Sequence, residues 1–194
     1  MIAIIDYDAG NVKSVQNALK KLGFEAVITS NIQTIKNADK VIFPGVGEAS
    51  SAMKKLQERG LDKVIPNLKQ PVLGICLGMQ LMCNASEEGN TKALGIFDCE
   101  VKLFPNSDIV PHMGWNNVAE IKGKLLENIS EMDNFYFVHS YYAEVGESTT
   151  SVCDYITPFS ATLEKDNFYA AQFHPEKSGD AGFKLLENFL NLRF

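Results

Sequence analysis

The segment Gly74-Ile75-Cys76-Leu77-Gly78 limits what this chain can fold into more than any other. It follows an apolar run at 71–75 and leads into a stretch of helical spacing at 78–84. A side chain stands at the tip of such a strand-to-helix turn only where the positions two before and two after it are small, because larger groups crowd the turn. The pattern is that of a nucleophile elbow with Cys in place of Ser. The helix N-terminus that follows favours negative charge at the sulfur, and the N–H of Leu77 can point at an oxyanion. A glycine-rich turn around a buried cysteine is the competing reading, and the pattern alone leaves both open.

The first half of the chain alternates strand and helix signals. Residues 1–6 form a short apolar run, as in a strand buried on both faces. Asn11 can cap a helix on which Val12, Val15, Leu19 and Leu22 share one face, with Gly23 as its stop. Strands are expected at 24–29, 40–43 and 71–75, and helices at 49–59 (ended by Gly60) and 78–84. This βαβα order predicts a parallel sheet with helices on both faces. The second half changes character. Segments 97–104, 117–121, 134–145, 151–155, 159–164 and 168–173 read as strands joined by short polar connections, hence antiparallel hairpins extending the sheet. A closing helix at 179–190 puts Phe183, Leu186, Phe189 and Leu190 on one face. The expected fold is α/β, with a mixed, mostly parallel central sheet flanked by helices and an antiparallel extension.

No repeat, low-complexity stretch or Pro/Gly/Ser-rich linker divides the 194 residues, so one domain over 1–194 is expected. Apolar residues at 45% and charged residues at 22% are ordinary globular values. Eighteen Lys and Arg against 24 Asp and Glu give a net charge of −6, a poor match for nucleic acid or anionic lipid. No apolar run is long enough to span a membrane. The N-terminus meets Asp6 without a basic region, so it reads as a strand and not a signal peptide; a cytoplasmic protein is expected. Cys76, Cys83, Cys99 and Cys153 show no C-x-x-C spacing, which argues against a zinc or dithiol redox site. Each is a buried spectator or a reactive thiol, and no metal or organic cofactor is implied.

A thiol nucleophile needs a base, and the chain has three histidines. His174 lies in Gln172-Phe173-His174-Pro175-Glu176, directly after a strand signal. In an extended segment, residues two apart point to the same side, so Glu176 can hold the imidazole of His174, with Pro175 fixing the backbone between them. A Cys76–His174–Glu176 triad is expected. His139 reads by alternation as a satisfied core histidine. His112 sits in a loop-like segment, 111–116, that holds the single Trp115. Phe43-Pro44-Gly45-Val46-Gly47 follows the third strand, where α/β sheets gather reactive groups. Its glycines let backbone N–H groups approach a ligand, so it is the candidate for a second oxyanion donor. A plain βα turn is equally compatible with its spacing.

These residues together resemble the class I (triad) glutamine amidotransferases, a flavodoxin-like family, and within them the glutaminase subunits of imidazole glycerol phosphate synthases. The resemblance covers nearly the whole chain. The class is marked by 74–78 and His174-Pro175-Glu176. The narrower group is marked by Asp6-Tyr7 with Gly10-Asn11 and Ser14-Val15, then by 43–47, Gly78-Met79-Gln80, His112-Met113-Gly114-Trp115-Asn116, Phe137-Val138-His139-Ser140-Tyr141 and 174–178. One departure is Asp8, where many relatives carry Gly. The resemblance implies glutamine hydrolysis by Cys76, His174 and Glu176, with oxyanion donors at Val46, Gly47 and Leu77. It implies that Gly47, Gln80 and Glu88 recognise the substrate's amino-acid head, and that His139, Ser140 and Tyr141 line the pocket. It implies a (β/α)8-barrel cyclase partner in histidine biosynthesis that takes up the ammonia, with Asn11, Trp115, Tyr136 and Lys177 at or near the interface. Three rivals stay open at this point: a glutaminase serving another synthase, a stand-alone cysteine hydrolase, and a non-enzymatic module that kept the fold.

Overall fold

A computed structural model describes residues 1–193. In chain order its elements are β1 (Ile2–Ile5), α1 (Val12–Lys21), β2 (Ala26–Thr29), α2 (Ile32–Lys36), β3 (Lys40–Gly45), α3 (Ala49–Glu58), α4 (Leu61–Val64), β4 (Val72–Cys76) and α5 (Leu77–Leu81). There follow β5 (Ala85–Ser86), β6 (Thr91–Lys92), β7 (Glu100–Leu103), β8 (His112–Asn117), β9 (Asn134–His139), β10 (Tyr141–Ala143), β11 (Thr149–Asp154), β12 (Pro158–Lys165), β13 (Phe168–Ala171) and α6 (Gly179–Asn191).

Seven strands form the main sheet in the order β11-β12-β13-β4-β3-β1-β2. The five from β13 to β2 are parallel, and β12 and β11 add antiparallel pairings at one edge. The expected mixed, mostly parallel sheet is therefore present. Alternation along each inner strand explains why helices cover both faces. Ala3, Ile5, Val41, Phe43 and Val72 pack with residues of α3, α4 and α5 on one face. Ile2, Ile4, Ile42, Leu73 and Ile75 pack with Val15 and Leu19 of α1 and Leu185, Leu186 and Phe189 of α6 on the other.

The second half departs from the expected single extension. Only β11 and β12 extend the main sheet; β8 and β9 form a two-stranded ribbon, and β10, β7, β5 and β6 form a separate four-stranded sheet. The expected strand at 134–145 breaks at Ser140, so its halves join different sheets. The expected strand at 117–121 is absent. Its apolar residue Val118 is buried without a ladder, and Ala119 makes only one bridge, to Val152. The loop-like segment at 111–116 is instead β8, paired residue for residue with β9. Asn11 does not cap α1: its backbone is left-handed (φ 69°) and its side chain makes no capping bond. No helix among the described residues is long and apolar enough to cross a membrane.

Candidate active site

Four parallel strands deliver their carboxyl ends to one edge of the sheet, and the sequence-predicted residues gather there. β1 leads to Tyr7, β3 ends at Gly45, β4 ends at Cys76, and β13 leads through Gln172 to His174. This is where α/β sheets bind ligands.

The backbone of the elbow is strained at its tip. Cys76 adopts φ 53° and ψ −111°, a region non-glycine residues rarely occupy. A Cβ at Gly78 would fall on the carbonyl of Phe43 in β3, and one at Gly74 would meet Met82 and the backbone of Met79. Both glycines are thus required by close approach. Tyr7 braces the neighbouring strand end, its hydroxyl donating to Pro44 O at 3.1 Å. Burial, and then the charge of Cys76, push the Tyr7 hydroxyl well above its usual range. Gly47, in the candidate oxyanion segment, has φ 111°, a conformation that favours glycine.

His174 and Glu176 meet, though not by the expected route. β13 stops at Ala171, and Pro175–Lys177 is a 3₁₀ turn; the turn, not an extended segment, swings the carboxylate back under the ring. His174 Nδ1 lies 2.8 Å from Glu176 Oε1, with both side chains almost fully buried. Asn11 Nδ2 donates to the same oxygen. Burial alone would lower His174. The neighbouring Cys76, and Glu176 through its hydrogen bond, outweigh it and push the imidazole up to about 10. With Nδ1 taken by Glu176, ring Nε2 is buried with no hydrogen-bond partner. The backbone of His174 is pinned by its N–H to Tyr136 O at 2.9 Å and by the Ser178 hydroxyl donating to His174 O at 2.6 Å.

A cavity of about 460 Å³ opens beside Cys76. Val46, Gly47, Leu77, Gln80, Glu88, Val138, His139, Ser140 and Tyr141 line it together with Cys76 and His174. The candidate oxyanion and substrate residues are therefore brought together on one wall system. Glu88 spends Oε2 on the Ala49 N–H at the start of α3 (2.8 Å), and burial raises its carboxyl. Gln80 donates to Tyr141 O and to Gln172 Oε1, each at 2.9 Å. Glu176 is not part of the cavity wall and lies behind His174.

The candidate interface residues stand outside the cavity. Trp115 is 59% exposed on β8, 6.0 Å edge-on from the Tyr136 ring, and Lys177 Nζ sits 5.9 Å above that ring. Asn11 is half-buried, and its amide turns in to Glu176 behind the triad. Asp8 holds a positive φ (62°), a conformation that favours glycine, and pairs with Arg59.

Sequence reading missed Gln172, which is fully buried between Gln80 and Cys76. It also missed the pairing of His112 with His139, ring nitrogens 3.1 Å apart, and the stacking of His112 on Tyr155 at 4.1 Å. Only a polar residue at the end of an otherwise apolar strand signalled the first. Of the remaining thiols, Cys83 and Cys99 lie 3.4 Å apart, and burial raises Cys153 to about 12. Among the described residues no group of three or more His, Cys, Asp or Glu is arranged to hold a metal ion.

Residues 3–192 match the family model of class-I glutamine amidotransferases. The chain is 58% identical over 194 residues to the imidazole glycerol phosphate synthase subunit HisH of Bacteroides fragilis, covering 98% of this chain and 99% of that protein. It is 46% identical to the HisH subunit of Vibrio parahaemolyticus, covering 98% of each. A solved glutamine amidotransferase structure superposes with a TM-score of 0.73 at 19% identity, over 98% of this chain and 97% of that one. The chain belongs to the class-I glutamine amidotransferase family, in the branch of the imidazole glycerol phosphate synthase HisH subunits.

Proposed function

We propose that this chain, acting as one amidotransferase domain in the cytoplasm, hydrolyses L-glutamine to glutamate and ammonia and passes the ammonia to a cyclase subunit. The observation that carries the reading is the 2.8 Å contact of His174 Nδ1 with Glu176 Oε1 while His174 and Cys76 share the wall of one cavity. Cys76 attacks the side-chain carboxamide carbon, and the carbonyl oxygen becomes an oxyanion. Backbone N–H groups at Val46–Gly47 and Leu77 stabilise that charge. His174 protonates the leaving nitrogen as the C–N bond breaks, then takes a proton from the water that cleaves the thioester. Glu176 orients the ring and stabilises its charged form. Glu88 complements the substrate ammonium, and Gly47 and Gln80 complete the seat of the amino-acid head. His139, Ser140 and Tyr141 line the same pocket.

The partner of this reading is a (β/α)8-barrel cyclase that uses the ammonia to make imidazole glycerol phosphate and aminoimidazole carboxamide ribotide. The HisH names of the relatives support it. So does the exposed Trp115 beside Tyr136 and Lys177, since exposed aromatic and cationic groups of this kind anchor interfaces. Asn11 contributes from behind the triad.

The test is glutamate release from glutamine by the chain alone and by its mixture with the cyclase and the cyclase's ligand. The expected result is slow release alone, strong stimulation in the mixture, and loss of both in Cys76→Ala. Full activity alone that ignores the cyclase would overturn the partnership and leave a solitary hydrolase.

A further inference from the structure

One atom that can only accept sets the direction of every hydrogen bond along the inner wall of the cavity. The carbonyl oxygen of Tyr141 receives Gln80 Nε2 at 2.9 Å and His139 Nδ1 at 2.7 Å. Gln80 must therefore turn its NH₂ group to Tyr141. The same nitrogen lies 2.9 Å from Gln172, so Gln172 must meet it with Oε1. Gln172 Nε2 is then left facing Cys76, 3.8 Å from Sγ and within hydrogen-bond reach of a sulfur. Amide orientations are ordinarily assigned by trial; here a backbone carbonyl dictates both.

The same logic runs outward. His139 holds its proton on Nδ1 to serve Tyr141 O, so its Nε2 is bare and must receive the Nδ1–H of His112, 3.1 Å away. Burial keeps His139 down to about 3 and His112 down to about 4, so each ring is neutral at pH 7 and has one N–H to place. His112 itself is clamped between the rings of Phe137 and Tyr155.

We infer that Gln172 is a donor to the nucleophilic sulfur, held in that orientation by the Tyr141 carbonyl acting through Gln80. The inference rests on the reading of Cys76 as nucleophile. The sulfur has a partner for each of its forms. As a thiol it can donate to Val138 O at 4.0 Å; as a thiolate it can accept from Gln172. A donor to the charged form favours that form. Gln172 is fully buried and its own backbone N–H is tied to Ala161 O at 2.8 Å, so the donor pays little entropy on turnover. The other ionisable groups facing the sulfur or its cavity are Tyr7, His174 with Glu176 behind it, Glu88 and His139. The variants below leave all of them in place.

The experiment follows alkylation of Cys76 in the full chain by iodoacetamide as a function of pH, resolved by peptide mass spectrometry, alongside kcat for glutamine. Gln172→Met keeps the volume and removes the donor. It is expected to move the pH of half-maximal alkylation upward by about one unit, which is a roughly tenfold loss of thiolate at any fixed pH below that midpoint, with kcat there falling in the same direction. Gln172→Glu keeps Oε1 for Gln80 but presents oxygen to the sulfur, and is expected to move it further. An unchanged profile in both Gln172 variants would overturn the inference. Failure of the wild-type Cys76 to react ahead of Cys83 and Cys153 would instead overturn the nucleophile reading itself.

Discussion

Asn11 donates its side-chain amide to Glu176 across 165 positions of chain, at the same oxygen that receives His174 Nδ1. Oε1 thus takes two donors while Oε2 is buried with no partner. The left-handed backbone of Asn11 explains how this is possible. At φ 69° its side chain turns away from the α1 amides it would otherwise cap and toward the triad.

The Asn11–Glu176 bond makes a stability prediction. Asn11→Ala strips a donor from a buried carboxylate and is expected to cost about 1–3 kcal/mol. Asn11→Asp sets a second carboxylate against the first and is expected to cost more than Asn11→Ala at pH 7, with the gap closing as pH falls through the carboxylate range. Urea unfolding at pH 7 and pH 4.5 measures both. An Asp variant as stable as the wild type at pH 7 would rule out the contact.

His174 supplies a pH prediction. Its imidazole is raised from 6.5 to about 10 against the opposing effect of burial, with Cys76 the larger raising partner and Glu176 the second. The folded chain therefore holds this proton more tightly than the unfolded chain does. The stability so contributed is complete below about pH 6.5 and drains away as pH rises toward 10. In Cys76→Ala the larger raising partner is gone, so the loss occurs at lower pH. Carbon-13 shifts of the His174 ring, followed by NMR titration, should show the midpoint fall in Cys76→Ala. An unmoved midpoint would mean that the sulfur and the ring are not in communication.

Gly78 is a steric prediction. A Cβ there falls on the Phe43 carbonyl, so β3 and α5 would have to separate at the elbow. Gly78→Ala is expected to cost about 3 kcal/mol or more, in the range of severe overpacking, and to abolish glutamine hydrolysis. Gly146→Ala is the control. Its Cβ would meet nothing nearer than 3.9 Å at an ordinary φ, and it should stay within about 0.5 kcal/mol of the wild type. Equal effects of the two substitutions in thermal unfolding would show that the close approach is not tight.

Trp115 separates folding from assembly. At 59% exposure its ring contributes little to the monomer, so Trp115→Ala should change unfolding free energy by no more than about 0.5 kcal/mol. If the Trp115–Tyr136–Lys177 surface docks the cyclase, the same variant should weaken the complex about thirtyfold or more, the loss of an anchor worth about 2 kcal/mol. Titration calorimetry with the cyclase reads the second quantity. Undiminished affinity would move the interface elsewhere.

What the sequence alone determined is what depends on neighbours in the chain. The elbow at 74–78, the βαβα order and the two faces of the parallel strands are legible because local crowding and strict alternation leave few alternatives, and the main sheet agrees with them. Extended alternation pairs His174 with Glu176 in the sequence, but in the fold a 3₁₀ turn at Pro175–Lys177 joins them. Tertiary structure decided the rest. Strands 134–139 and 141–143 look continuous in sequence, but the break at Ser140 sends them to different sheets, because pairing depends on which edges are free elsewhere. Asn11 reads as a helix cap, and only the arrival of Glu176 from the far end of the chain shows what its amide serves. Gln172 and the His112–His139 pair carry no periodic signal. Hydrogen-bond polarity belongs to a closed network, and that network exists only once Cys76, Gln80, Tyr141 and Gln172 have been brought together by the fold.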